Sequence, residues 1–153
     1  MSCKCLFFFT LYSLSLALSS CGPSYPPDTD ATRSYAMEIP LNSTADDRVA
    51  FYEKDKSDWK RFTISEKTTA LINIHWDDPE ITRQVNLYDQ FGGKMRELNH
   101  QKGVEKDSIK DISFNAGTYF VEITAQKGSS VYTVEVLTGD MTQGTGYGIP
   151  RPE

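Results

Sequence analysis

From Asp58 to Leu137 the chain alternates hydrophobic and polar residues in short runs broken by turn residues. In the stretch 69–76, Ala70, Ile72, Ile74 and Trp76 fall on one side, and Leu71, Asn73 and His75 on the other. That period of two is the mark of a strand with one buried face. The same phase turns Phe62 and Ile64 inward in 58–64, and Val85 and Leu87 inward in 84–89. It does so again for Tyr119, Val121 and Ile123 in 118–125, and for Tyr132, Val134 and Val136 in 130–137. Phe91-Gly92-Gly93-Lys94 predicts a hairpin, because paired glycines accept the positive φ of tight turns, and 95–99 is the return strand. The stretch 108–114 holds Ile109, Ile112 and Phe114 with an ambiguous phase. Upstream, 48–53 carries Val49, Phe51 and Tyr52, and 35–41 reads as a first edge strand whose pairing Pro40 limits. No part of the chain beyond the N-terminal region keeps a helical period. The expected fold is all-β: a single antiparallel β-sandwich, jelly-roll-like, of about eight strands.

The two ends read differently. Lys4, an apolar stretch over 5–18 and small residues before Cys21 form an export signal, too short to span a bilayer, which takes about 20 apolar residues. Leu18-Ser19-Ser20-Cys21 resembles the lipobox of bacterial lipoproteins. The resemblance implies removal of residues 1–20 as signal peptide and acylation of Cys21, with palmitate-like chains as the membrane anchor. Gly22 is not the aspartate that resembles an inner-membrane retention signal in enteric bacteria, so the expected location is the cell envelope, at the outer membrane. Residues 21–46, with Pro23, Pro26 and Pro27, read as a tether, 47–138 as the sandwich, and 139–153 as a flexible Gly/Pro tail. Cys3 and Cys5 lie in the signal, so the exported domain has no disulfide and no thiolate for metal.

The formal net charge is −5, and loss of Lys4 makes the exported chain more acidic still. That balance argues against nucleic acid and against an anionic lipid surface as electrostatic partners. Asp77, Asp78, Glu80 and Asp89 are the candidate calcium ligands, since calcium takes six to eight oxygens with several carboxylates converging. The same residues also suit plain turns. His75 and His100 are far apart and lack an evident nucleophile, and no serine sits in a nucleophile elbow, so the chain reads as a non-enzyme. Trp59 is out of phase with Phe62 and Ile64, and Phe91 occupies a hairpin tip. These two aromatics are the candidate binding surface.

Asp58-Trp59-Lys60-Arg61-Phe62, Ile72-Asn73-Ile74-His75-Trp76-Asp77-Asp78, Val85-Asn86-Leu87-Tyr88-Asp89 with Gly92-Gly93, Asn115-Ala116-Gly117-Thr118-Tyr119-Phe120-Val121 and Tyr132-Thr133-Val134 together resemble the bacterial pre-peptidase C-terminal domain. That family is a β-sandwich module appended to exported enzymes, and some of its members bind calcium or polymers such as collagen. Thr82 and Gln84 stand where the family often has an acidic pair, which weakens the calcium expectation. Lys60 stands where it often has a second aromatic. The expectation is a lipid-anchored, non-catalytic envelope lipoprotein presenting a β-sandwich interaction module to a protein or polymer. The alternative is a calcium-dependent or carbohydrate-binding module.

Overall fold

The computed structural model describes residues 28–100 and 102–139. Cys21, the signal, the first part of the tether and residues 140–153 lie outside the described residues. Nine strands form two sheets. They are β1 (Met37–Glu38), β2 (Thr44–Ala50), β3 (Ser57–Ile64), β4 (Thr68–Trp76), β5 (Thr82–Tyr88), β6 (Lys94–Asn99), β7 (Lys106–Phe114), β8 (Gly117–Lys127) and β9 (Ser129–Thr138). One sheet has the order β1-β3-β8-β5-β6 and the other β2-β9-β4-β7. All pairs are antiparallel except the short β1, which runs parallel to β3 through Met37 and Lys60.

The alternation read from the sequence sets the core. Phe62, Ile64, Ile72, Ile74, Trp76, Val85, Leu87, Val121, Ile123, Tyr132, Val134 and Val136 are all buried between the sheets. Phe62, Phe114 and Tyr119 close one end as a ring cluster with centroids 4.8–5.7 Å apart. Offset and edge-on ring pairs of this kind add about 0.5–1.5 kcal/mol beyond area burial. The ambiguous phase of β7 has a structural cause. Asp111 adopts φ 59°, and the β4–β7 register slips between Ala70 and Ile72. The extra residue is a bulge, and it lets Ile109, Ile112 and Phe114 all point inward.

Two boundaries differ from expectation. The run over 48–53 is the end of β2 followed by a 3-10 turn at Phe51–Glu53. The sandwich also begins before residue 47, since β1, the buried Ile39 and the buried Asp30 belong to it. The backbone of Asp30 accepts a hydrogen bond from Trp59 N, so this upstream segment runs along the same side of β3 as β1.

Candidate binding face and carboxylate cluster

β3, β8 and β5 lie side by side, and their outward residues make one surface. β3 contributes Ser57, Trp59, Arg61 and Thr63; β8 contributes Thr118, Phe120, Glu122 and Thr124; β5 contributes Gln84, Asn86 and Tyr88. Trp59 and Tyr88 lean towards each other across β8 and stack at 5.3 Å and 26°. Beneath them Glu122 Oε2 accepts from Tyr88 Oη at 2.9 Å and from Asn86 Nδ2 at 3.0 Å. Burial and the Glu122 carboxylate push the Tyr88 phenol up to about 12, so it stays a donor at any ordinary pH. Arg33, on a short 3-10 turn, caps one side. Its guanidinium lies 4.2 Å over the Phe120 ring and donates to the carbonyls of Asp89 and Gln90.

A second constellation sits inside. Because Phe62 and Ile64 face the core, period two also carries Asp58 and Lys60 inward, and both are buried. Lys60 Nζ donates to Asp30 Oδ2 at 2.6 Å and to Asp47 Oδ2. The buried Tyr132 hydroxyl donates to Asp58 Oδ2 at 2.5 Å. Asp58 also meets Asp28 and Asp55, the three offering ligand oxygens within 4.8 Å of one another, and a second such group is Asp30, Asp47 and Asp58. Burial first, then neighbouring carboxylates, push Asp58 up to about 8 against the opposing Tyr132 bond and Lys60 charge. Burial and Asp28 likewise raise Asp55 to about 6, and Asp30 is raised mainly by burial. In the second group Lys60 already supplies the cation. In the first, the Lys60 charge acts on Asp58 and the Arg48 charge on Asp55 without outweighing burial, and the all-oxygen donor set suits a hard divalent ion.

The carboxylates singled out from sequence do not converge. Asp77, Asp78 and Glu80 precede β5 and Asp89 follows it, so the seven residues of β5 hold them roughly 20 Å apart at about 3.4 Å per residue. Asp78 Oδ1 accepts from Glu80 N, and Asp89 Oδ1 accepts from Phe91 N and Gly93 N, so these side chains shape their turns. Phe91 is 86% exposed at the hairpin tip, and Trp59 is half-buried on the face just described. Both histidines have partners that spacing did not show. His75 Nε2 lies 3.6 Å from Glu135 on the outer side of β4. The side chain of His100 is buried, with Nε2 2.8 Å from the Pro79 carbonyl and Nδ1 3.8 Å from Asp107, which also holds Arg83.

The chain matches a family model described as a secretion system C-terminal sorting domain over residues 68–136. That span runs from β4 into β9 and is less than half of the chain. No curated protein matches. Among solved structures, the chain is similar to the pre-peptidase C-terminal domain of collagenase from Bacillus anthracis. The TM-score is 0.56 at 16% identity, with 66% of this chain and 93% of that one covered. It is also similar to a periplasmic inhibitor of g-type lysozyme from Aeromonas hydrophila, with a TM-score of 0.40 at 9% identity over 68% of this chain and 97% of that one. A family 35 carbohydrate-binding module from an environmental isolate gives 0.40 at 14%, over 56% and 66%. At these identities the first likeness establishes the β-sandwich fold and no more.

Proposed function

We propose that this chain is an exported, lipid-anchored, non-catalytic module that holds an envelope protein or polymer against the outer face of its five-stranded sheet. The carrying observation is the Trp59–Tyr88 pair, stacked on an outward surface where an aromatic has no core to join. Aromatics kept at a solvent-facing position, with a hydroxyl-bearing ring aimed at a carboxylate, suit recognition of a partner with apolar and polar parts. The match to a sorting domain supports export. The signal and Leu18-Ser19-Ser20-Cys21 support acylation of Cys21 and placement at the outer membrane.

Two measurements on the intact chain, expressed in a bacterium with an outer membrane, test this. Wild type should incorporate labelled palmitate and sediment with outer membrane, and Cys21→Ser should do neither; label retained by Cys21→Ser overturns the anchor. Trp59→Ala should lower retention of the purified protein on cell-envelope material at least about tenfold, the scale of an aromatic hot spot. Equal retention overturns the face.

A second reading, a calcium-dependent module, is favoured by Asp28, Asp55 and Asp58. Each of the three brings one carboxylate oxygen within 4.8 Å of the others, hard donors of the kind calcium takes, and an ion there would replace the protons that burial forces onto Asp58 and Asp55. This reading moves the expected ligands from the β4–β5 loop and the β5–β6 hairpin to the N-terminal segment and the start of β3.

A further inference from the structure

We infer that the ligand of the outer face is a neutral glycan, an inference that rests on the reading of this face as the binding surface. The outward positions of β3, β8 and β5 carry aromatics, hydroxyls and amides, and no Val, Ile, Leu or Met. A protein partner wants an apolar, fully desolvated centre, and three half-buried rings set among threonines and amides do not provide one. A pyranose has a C–H face that packs on an aromatic ring and a rim of hydroxyls that pair with amides and carboxylates.

The charge on the face fits a neutral chain. Arg61 is paired with Glu38, and Arg33 is spent on two carbonyls and the Phe120 ring. Among the described outward residues of these three strands no row of cations forms a track for a polyanion. Glu122 is the one carboxylate on these strands' outward side. Its Oε2 takes two donors, while its Oε1 has only Ser57 Oγ at 3.4 Å. A carboxylate oxygen accepts two bonds, so Oε1 has capacity for a ligand hydroxyl. Beside it, Asn86 is 3% exposed and its Oδ1 has no donor. That oxygen is covered by the protein itself, so the acceptor capacity this face offers a ligand is that of Glu122 Oε1. The assignment of the amide is fixed by its neighbour, because only Nδ2 can donate to Glu122.

The test is a glycan array printed with neutral and acidic glycans, probed with the intact protein, with gelatin-coated wells as the polypeptide probe. Wild type, Trp59→Ala and Tyr88→Phe are compared, with thermal melts confirming folding. Tyr88→Phe keeps the ring stack and removes only the hydroxyl bonded to Glu122, so it carries the test if Trp59→Ala does not fold. The expected result is binding to neutral glycans that high salt leaves intact, weakened at least about tenfold by Trp59→Ala and measurably by Tyr88→Phe. Binding to no neutral glycan, or only to acidic ones, overturns the glycan. Gelatin binding that the variants weaken overturns the glycan and leaves the face standing. Binding of any probe that neither variant alters overturns both.

Discussion

Raising the pH from 5 to 8 should destabilise the protein in the absence of divalent cations, and Asp58 sets the size of the effect. The residue is 1% exposed, and its carboxyl is pushed up to about 8, chiefly by burial. In the unfolded chain an aspartate titrates near about 3.9. Across the window between those values the folded state holds a proton that the unfolded state has released. The stability contributed by that proton is fully present below about pH 4 and falls by about 1.4 kcal/mol per pH unit until the folded group ionises near about 8. Over pH 5–8 this is on the order of 3–4 kcal/mol, and Asp30, raised in the same direction, acts with it. For a domain of this size each kcal/mol moves Tm by about 4–8 °C, so the drop is on the order of 10 °C or more. The assay is a series of thermal melts with chelator at pH 5, 6, 7 and 8, repeated with Asp58→Asn. The asparagine keeps an acceptor for Tyr132 and should flatten the upper half of the curve. Millimolar calcium should raise Tm more at pH 8 than at pH 5, because a ligand bound only by the folded state stabilises it and protons compete for the same oxygens. A wild-type Tm that is level or rises from pH 5 to 8 with chelator present would refute the buried, protonated Asp58.

Other perturbations reach different parts of the fold. Lys60→Ala leaves Asp30 and Asp47 without their ammonium and should cost about 3–5 kcal/mol at neutral pH, with part of the loss recovered in melts at low pH, where Asp30, raised by burial, takes a proton. Phe114→Ala removes the centre of the Phe62–Phe114–Tyr119 cluster and should cost about 3–5 kcal/mol in a denaturant titration. Asp111→Val places a β-branched residue at φ 59° and should lower stability by about 1–3 kcal/mol, whereas Asp111→Gly should be neutral or better. Arg33→Ala deletes two hydrogen bonds and the Phe120 contact; hydrogen exchange should speed up in 31–36 with the global melt nearly unchanged.

The face could be found in the sequence because it follows from local alternation. Trp59 is out of step with Phe62 and Ile64, and that places it outside whatever the strand pairs with. Tyr88 and Glu122 were just as far out of step, but their meeting with Trp59 needed the order β3-β8-β5, which no local pattern contains. The same parity that exposed Trp59 required Asp58 and Lys60 to face inward, and that was the available sign of a buried ionic cluster. Alternation reads it as a blemish in a strand. It becomes a site only when Asp28, Asp30, Asp47, Asp55 and Tyr132 arrive from the N-terminal segment, β2, the loop that follows it and β9. A run such as Asp77-Asp78-Pro79-Glu80 draws attention because its carboxylates are adjacent in sequence, yet adjacency suits turns, whose short side chains bond the backbone two residues on. Cation sites need oxygens converging from several directions, which in a sandwich means several strands or loops meeting at one end. Carboxylates placed inward at strand ends are therefore better candidates in this fold than carboxylates gathered in one loop. Strand parity alone nominates Asp58, in phase with Phe62 and Ile64, together with Asp47, in phase with Val49, and Asp107, in phase with Ile109.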